Sequence, residues 1–334
     1  MTRFLAWLCA LLLPAVPFAL ADDGKDEKER DEERRLELDV DDFKATIKLE
    51  RELDGLEDAV KIEYDAGKAK LQVKHEAKNE TTESEEKLEA RFLALVEYAD
   101  GNGNGAYDAG EPVASAWALG DDEKDAKIPI NGTVEWGEIA VADAAGGNAP
   151  GKKLSSRASF GENATFGLDF HVYGDFTLVG NRSLAPTEAK IDILIQRYPY
   201  AQDGTALAVL VDLKAKEEFK DEREDDGEEG VSSEGVDGNL TFRLTFTWLE
   251  NATVDGADRE VRSTVIKSKE EAKDGEIEQK ARVALSYPRG DFILHDPTVG
   301  VTYGAQGSGA RPVPMGLGVL AAVGLAALAA RRRE

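Results

Sequence analysis

The sequence has few of the residues that most often build metal centres and reactive thiols. It contains one cysteine, Cys9, and three histidines, His75, His171 and His295. A lone cysteine cannot form a disulfide within the chain, and the three histidines lack the short spacing of metal-binding motifs. The sequence therefore excludes a disulfide framework and does not favour a metal centre built on cysteine or histidine.

Positive charge is also scarce. The chain has 41 basic against 66 acidic residues and a formal net charge of −25. A field of this sign repels the phosphates of a nucleic acid, so we expect no nucleic-acid partner. An acidic surface is typical of a soluble exported protein or of one that works in a calcium-rich or moderately salty medium.

No motif singles out catalysis. The chain has no serine in a GxSxG elbow, the signature of α/β-hydrolases. Carboxylate pairs such as Glu135/Glu138 and Asp291/Asp296 can serve a glycosidase, but such pairs also arise by chance among 66 acidic residues. Two roles stay open for four aromatic residues, which could stack on sugars or pack in the core. They are Trp117, Trp136, Tyr198 and Tyr200.

The beginning of the chain predicts export. Residues 1–21 hold one early positive charge, Arg3, then an apolar run, and end in the small-x-small pattern Ala19-Leu20-Ala21. This is the pattern of a cleaved signal peptide. The alternative, an N-terminal membrane anchor, is weaker because the run is short and contains Pro14 and Pro17.

The end of the chain predicts an anchor. Residues 314–330 are apolar and precede the basic tail 331–334, an arrangement that places the arginines on the cytoplasmic side. We expect a C-terminal transmembrane helix, joined to the folded part by a stalk over 304–313. The same segment can instead be a sorting signal that is removed and replaced by a lipid.

The last 25 or so residues resemble the tripartite tails of archaeal surface proteins. A polar linker, an apolar helix and an arginine cluster follow one another, as in tails of the PGF-CTERM type that archaeosortases process. This chain has Pro-Val-Pro-Met-Gly at 312–316 instead of Pro-Gly-Phe. The resemblance implies attachment to the outer face of the cell membrane.

Between the ends, the pattern predicts an all-β protein. Residues 22–37 are a charged arm, and 38–303 carry short alternating runs typical of β-strands. The clearest run, 240–248, predicts a central strand. The fold class is a β-sandwich, one large or two small, with a possible seam among the polar connections of 120–157. The acidic segment 217–238 is interpreted as a mobile loop.

Residues 100–111, DGNGNGAYDAGE, form the motif with the most specific chemistry. Oxygen-bearing residues occupy positions one, three, five, nine and twelve of a twelve-residue loop, and glycine occupies position six. EF-hand-type loops wrap Ca²⁺ with oxygens in this order. The predicted ligands are Asp100, Asn102, Asn104, the carbonyl of Ala106, Asp108 and Glu111. Bound Ca²⁺ changes the loop's net charge from −3 to −1, which relieves repulsion; a turn without metal is the alternative.

The residues before this loop fit either a helix or a strand. Lys87–Ala99 has apolar residues at both spacings, but Gly110 and Pro112 disfavour the exiting helix of an EF-hand. We therefore predict a strand entering the loop. The stretch VEYADGNGNGAYDAGEPV resembles the calcium loops of B-type repeats in Gram-positive surface adhesins and is similar to the single-loop half of a dockerin. This resemblance covers about 20 residues and implies calcium, not a partner.

Six Asn-X-Ser/Thr sequons lie in a chain that is predicted to be exported. Each is a candidate glycan acceptor if it lies on the surface. They are Asn79, Asn131, Asn163, Asn181, Asn239 and Asn251.

These features together predict a calcium-stabilised, N-glycosylated structural or adhesion protein on the cell surface. Its partners would be the membrane, through the C-terminal helix, and envelope proteins or glycans. A surface carbohydrate-binding module or glycoside hydrolase is the alternative, and a membrane-tethered sensor is weaker because only the tail RRRE would remain inside.

Overall fold

The computed structural model describes residues 35–53, 56–78, 83–121, 126–147, 149–179, 182–223, 228–237, 240–271 and 277–305. These residues belong to one compact unit. They form 24 β-strands and a 3-10 turn at Ala66–Lys68, and this part of the chain contains no α-helix. It accordingly has no helix with the length and hydrophobicity that a membrane crossing requires.

The strands follow one another with short connections. The first twelve are β1 (Arg35–Asp41), β2 (Lys44–Leu53), β3 (Leu56–Asp65), β4 (Lys70–Lys78), β5 (Glu83–Tyr98), β6 (Val113–Ala118), β7 (Gly132–Thr133), β8 (Glu135–Trp136), β9 (Ala140–Asp143), β10 (Gly151–Phe160), β11 (Ala164–Tyr173) and β12 (Thr177–Val179). The remaining twelve are β13 (Arg182–Leu184), β14 (Glu188–Gln196), β15 (Ala206–Ala215), β16 (Phe219–Arg223), β17 (Glu228–Asp237), β18 (Leu240–Leu249), β19 (Asn251–Val254), β20 (Ala257–Glu260), β21 (Arg262–Glu271), β22 (Ile277–Tyr287), β23 (Phe292–His295) and β24 (Thr298–Ala305).

Two large sheets contain almost all of these strands. Sheet A has ten strands and the main order β1-β2-β3-β4-β5-β15-β22-β21, with β6 and β7 branching from β5. Sheet B has twelve strands and the main order β16-β17-β18-β24-β14-β11-β10-β8. Neighbouring strands are antiparallel except for the short β6–β7 pair. Antiparallel sheets of this kind bury one face and leave the other to solvent or to loops.

The inner faces of both sheets contribute to one hydrophobic core. Ile62 and Phe92 enter it from sheet A, and Phe166, Ile193 and Phe246 enter it from sheet B. The alternating runs at 165–172, 189–196, 207–213 and 240–248 are all strands, and 240–248 lies inside sheet B between β17 and β24. The prediction of an all-β protein is confirmed, and the structure shows that its sheets are large and antiparallel.

Strand β5 explains why Lys87–Ala99 fitted two patterns. Its register with β15 shifts between Leu210 and Val211, which leaves Leu93 as the extra residue of a β-bulge. Before the bulge, Phe92 faces the main core; after it, Val96 and Tyr98 face the opposite side of sheet A. A bulge changes which residues share a face. The predicted strand is confirmed, and its irregular spacing results from the bulge.

The prediction of a mobile loop over 217–238 is wrong. Phe219–Arg223 and Glu228–Asp237 are strands β16 and β17, which extend sheet B from β18. Many residues of these two strands are charged, but one face of the pair is buried, since Phe219 and Val231 belong to the core. Gly235 lies opposite Phe242, and a Cβ on this glycine would lie 2.0 Å from the phenylalanine ring. The strand pair therefore depends on cross-strand packing that a local pattern does not reveal.

Several predicted boundaries shift. The arm predicted for 22–37 overlaps β1, the stalk predicted from 304 overlaps β24, and the polar connections predicted within 120–157 include the start of β10. Residues on both sides of 120–157 contribute to the same core. The predicted signal peptide, most of the arm and stalk, and the transmembrane segment with its tail lie outside the described residues.

Candidate functional site

The predicted calcium loop connects β5 to β6 at one end of sheet A. The backbone N–H of Ala99 donates to the carbonyl of Pro112 at 3.0 Å, which closes the base of the loop. Three glycines inside it, Gly103, Gly105 and Gly110, have positive φ angles of 72°, 78° and 104°. Most other residues disfavour this left-handed region. The glycines therefore allow the loop to turn its side chains inward.

Carboxylates at the two ends of the loop bind its backbone. Asp100 accepts the N–H groups of Gly103 and Gly105 at 2.8 and 2.9 Å, one on each carboxylate oxygen. Glu111 accepts the N–H of Gly101 at 3.0 Å and that of Asp108 at 3.1 Å. The first and last predicted ligands thus both hold the loop closed.

Asp108 is the point on which the loop's side chains converge. Its Oδ2 accepts hydrogen bonds from the side-chain amides of Asn102 and Asn104, both at 2.8 Å. These bonds favour the ionised form and hold the pKa of Asp108 below its ordinary value. Positions three, five and nine of the predicted ligand set therefore meet in the structure.

The loop is fixed to sheet A by residues that are remote in sequence. Tyr107 donates its backbone N–H to the Oγ of Ser286 on β22 at 2.9 Å, and Thr264 on β21 donates from Oγ1 to Asp108 at 3.2 Å. The rings of Tyr98 and Tyr107 pack edge to face with centroids 5.3 Å apart. Tyr107, at the loop position where EF-hand-type loops carry an apolar anchor, is buried.

Tyr98, the last residue of β5, contacts the loop and is affected by the charge of the loop's carboxylates. Its hydroxyl donates to the carbonyl of Gly105 at 3.0 Å. Burial raises its pKa to about 12, and the nearby carboxylates of Asp100, Glu111 and Asp108 add to this increase. The tyrosine therefore stays protonated at neutral pH and keeps its hydrogen bond to the loop.

The donor set fits a hard divalent cation. Three carboxylates and two amides lie within twelve residues, which is the oxygen-rich chemistry that Ca²⁺ prefers. Within the described part of the chain, none of the three carboxylates pairs with a lysine or arginine.

The amides of Asn102 and Asn104 must turn for all predicted ligands to face one ion. In the structure their oxygens accept the backbone N–H groups of Asn104 and Ala106 at 3.0 and 2.8 Å, while their nitrogens face Asp108. Rotating each amide by about 180° would turn its oxygen toward Asp108, and the backbone N–H groups of Asn104 and Ala106 would lose their present acceptors. In the described residues no group of three or more His, Cys, Asp or Glu side chains is already placed around a metal position.

Glu97 is a buried carboxylate beside the loop that sequence reasoning missed. It accepts hydrogen bonds from Ser115 Oγ, Thr205 Oγ1 and the N–H groups of Ala201 and Gln202, at 2.7 to 3.0 Å. Burial opposes its ionisation, but these bonds outweigh burial and hold the pKa of Glu97 below its ordinary value. It fastens the turn before β15 to the strand that enters the loop.

The remaining candidate residues make hydrogen bonds, ion pairs or packing contacts within the fold. His295 is buried between the hydroxyl of Tyr287 and the carbonyl of Leu249, both at 2.9 Å, and His171 contacts Asp192 at 2.9 Å. Lys190 lies 3.0 Å from Asp296. The four aromatic residues considered for sugar stacking all belong to the main core or pack against it. In the described residues, core packing therefore accounts for them.

Three of the sequon asparagines can be located. Asn131, Asn163 and Asn251 are exposed, and Asn163 lies in the turn between β10 and β11. Asn79, Asn181 and Asn239 lie outside the described residues. The exposed asparagines meet the surface requirement for a glycan acceptor.

No protein-family model matches the chain, and no curated protein matches it.

Proposed function

We propose that the protein is a calcium-stabilised, N-glycosylated structural or adhesion protein, anchored to the outer face of the cell membrane by its C-terminus. The fold in this proposal is a β-sandwich that carries one EF-hand-like calcium loop between β5 and β6. Its partners are the membrane, through a C-terminal helix, and envelope proteins or glycans. The role of calcium is structural.

The observation that carries the calcium part is the convergence of Asn102, Asn104 and Thr264 on Asp108. Among the described residues Asp108 has no lysine or arginine partner, and once the two amides turn, oxygens of Asn102, Asn104 and Asp108 would face the same point, where a divalent ion gains strong charge interactions. The loop also contacts two neighbouring strands of sheet A, through Thr264 on β21 and Ser286 on β22. Ordering the loop with Ca²⁺ would therefore stabilise that end of the sheet.

Thermal unfolding of the full-length protein tests this part. We expect Ca²⁺ to raise the melting temperature above the value in EDTA, and Mg²⁺ to raise it less, because Mg²⁺ prefers a smaller octahedral shell. At a calcium concentration of 100 times Kd, the shift should be about 5 °C. The Glu111→Gln variant should lose the calcium-dependent shift, while Glu135→Gln, at an exposed position, should keep it. Equal melting temperatures in calcium and EDTA would contradict the proposal.

Surface display needs a separate test. Export and anchoring are supported by the sequence patterns at both ends, and glycosylation by the three exposed sequon asparagines. A membrane-impermeant amine reagent applied to intact cells should label the protein. Treatment with an N-glycosidase, or mass spectrometry of the Asn163 peptide, should reveal glycan. Labelling only after lysis would contradict display on the surface.

A surface carbohydrate-binding protein is the second candidate, and a cavity of about 520 Å³ beside Tyr107, Ala109 and Gly110 of the loop favours binding. A hydrolase has less support: Asp296 pairs with Lys190, and Glu135 and Glu138 are exposed at the edge of sheet B. Retaining and inverting glycosidases need two carboxyl groups that face each other across the sugar. A hydrolase panel tests this directly.

A further inference from the structure

Two of the predicted calcium ligands are asparagines that directly precede a glycine. The pairs are Asn102–Gly103 and Asn104–Gly105, and the only other Asn-Gly pair in the sequence is Asn131–Gly132. In such a pair the backbone nitrogen of the glycine can attack the side-chain amide of the asparagine. Glycine allows this attack best, because it has no Cβ to restrict the backbone or to block the approach. Both loop pairs therefore have the residues that spontaneous deamidation requires.

The reaction needs no reagent other than water. The glycine nitrogen loses its proton and forms a bond to Cγ of the preceding asparagine. The bond from Cγ to the amide nitrogen breaks, and that nitrogen leaves with the proton as ammonia. Water then opens the cyclic imide. Opening at Cγ gives aspartate, and opening at the backbone carbonyl gives isoaspartate, in which the main chain runs through Cγ.

Burial does not protect the loop pairs from this reaction. Both asparagines and both glycines of 102–105 are exposed, so water reaches each pair. The local hydrogen bonds must open before the imide ring can close. The rate in the folded protein therefore depends on what holds the glycine nitrogens and the asparagine amides.

One carboxylate holds both of the nitrogens that would attack. Asp100 accepts the N–H of Gly103 on Oδ1 at 2.8 Å and the N–H of Gly105 on Oδ2 at 2.9 Å. An amide nitrogen attacks only after it has lost its proton. Within these hydrogen bonds, loss of the proton would place a negative nitrogen directly beside a negative carboxylate, and like charges at contact repel strongly. Asp100 therefore raises the barrier to ring closure at both pairs.

A second carboxylate holds the groups that would be attacked. The side-chain nitrogens of Asn102 and Asn104 both donate to Oδ2 of Asp108 at 2.8 Å. These bonds fix the electrophile, whereas the bonds to Asp100 fix the nucleophile. The loop thus restrains both partners of the reaction, and it does so through different residues.

We propose that Asn102 and Asn104 are deamidation sites that the closed loop keeps nearly inactive, and that Asp100 is the residue that suppresses the reaction. Opening of the loop, or loss of the Asp100 carboxylate, releases both glycine N–H groups and starts the conversion. The proposal depends on the hydrogen bonds of the loop and needs no bound metal.

The two products would change the cation chemistry of the loop in opposite directions, a consequence that rests on the calcium site of the proposed function. Aspartate in place of Asn102 or Asn104 supplies a charged oxygen instead of a neutral one, which favours Ca²⁺. Isoaspartate adds a carbon to the main chain and shifts the spacing of the ligands. Deamidation would therefore yield one form that binds calcium more tightly and another that binds it more weakly.

Peptide mass spectrometry of the full-length protein tests the proposal. The parent, Asp100→Ala and Glu111→Ala are incubated at neutral pH in EDTA, and the loop peptide is sampled over time for the mass gain that replaces NH with O. Glu111→Ala is the matched control. Glu111 also accepts two backbone N–H groups of the loop, from Gly101 and Asp108, but neither of these residues follows an asparagine. The parent in guanidinium chloride gives the rate of the unfolded chain.

We expect Asp100→Ala to deamidate about ten- to a hundredfold faster than the parent at both loop pairs, as loss of hydrogen bonds to a charged group implies. Its rate should approach that of the unfolded parent, while Glu111→Ala should stay close to the folded parent. Circular dichroism verifies that the variants are folded. Asp100→Asn, which keeps the size of the side chain but removes its charge and one acceptor, should also accelerate the reaction.

Three results would overturn the proposal: equal rates in the parent and in both Asp100 variants, equal acceleration in Asp100→Ala and Glu111→Ala, or a folded parent that reacts as fast as the unfolded one. A calcium titration of the parent is a separate measurement. Deamidation that depends on Asp100 without calcium binding refutes only the calcium site, and calcium binding with a rate that does not depend on Asp100 refutes only the role of Asp100 in deamidation.

Discussion

Thr264 on edge strand β21 donates a hydrogen bond from its Oγ1 to Oδ1 of Asp108, at 3.2 Å, across 156 residues of sequence. The acceptor is the carboxylate on which the loop's amides converge. One side chain therefore connects the candidate calcium loop to the edge of sheet A.

The Thr264→Val variant should weaken calcium binding about two- to fivefold. Valine has a similar shape but cannot hold Asp108 in place, and a hydrogen bond of this kind contributes about 1 kcal/mol. Calcium affinity is measured by calorimetry. Ser263→Ala is the matched control, because Ser263 is the next residue on β21 and donates instead to Glu229 at 2.8 Å. If both variants bind calcium like the parent, the hydrogen bond from Thr264 has no positioning role.

Glu97→Gln should lower the free energy of unfolding by about 2–4 kcal/mol. Each oxygen of Glu97 accepts one backbone N–H, from Ala201 or Gln202. Glutamine would place an NH₂ group against one of these fixed donors, and a buried donor left without an acceptor is costly. Urea unfolding measures the difference. Glu135→Gln, at an exposed site, should change stability by less than about 0.5 kcal/mol, and a similar small effect at Glu97 would contradict this account.

Stability should fall as the pH decreases from about 6.5 to about 4 because of His295. Burial lowers the pKa of His295 to about 4, from an ordinary value near 6.5. Between these values the unfolded chain binds more protons than the folded protein, so the free energy of unfolding rises with pH, by about 3 kcal/mol over the window. Protonation also removes the acceptor for the hydroxyl of Tyr287.

Urea unfolding at several pH values measures this dependence, and His295→Asn should remove most of it above pH 4. Asp192, whose pKa is lowered to about 2 although burial alone would raise it, contributes in a lower window. Its bonds to His171 and Lys190 outweigh burial, so its contribution is lost only as the pH falls below about 4. An unchanged slope in His295→Asn would assign the effect to other groups.

Gly235→Ala should destabilise the β17–β18 pair. An added Cβ would lie 2.0 Å from the ring of Phe242, so the ring or the strand must move. We expect a loss of about 1–3 kcal/mol, as for overpacking elsewhere. Gly256→Ala is a comparison at a glycine with open space, whose φ of 80° gives a conformational cost without a clash. The double variant Gly235→Ala/Phe242→Leu should recover part of the loss.

The sequence predicted those parts of the protein in which one local pattern decides the structure. Strict alternation located the strands that carry Phe166, Ile193 and Phe246, and the loop was located because its oxygen-bearing residues are contiguous. The sequence pattern did not predict β16 and β17. In these strands charged residues alternate poorly with the few buried ones, and cross-strand packing on Phe242 determines the structure.

The parts of the site that come from distant strands gave no local signal. Thr264 and Ser286 lie on β21 and β22, and an ordinary serine or threonine in a strand does not indicate what it contacts. The burial of Glu97 could not be predicted from the alternation in β5, because the bulge at Leu93 changes the face on which later residues of this strand lie.

The most direct test of the calcium site is an anomalous difference map from crystals of the protein grown in calcium. The account predicts one strong peak inside the loop, surrounded by oxygens of Asp100, Asn102, Asn104, Ala106, Asp108 and Glu111, with both asparagine amides turned to present oxygen. A map without a peak in the loop, at calcium concentrations well above millimolar, would contradict it.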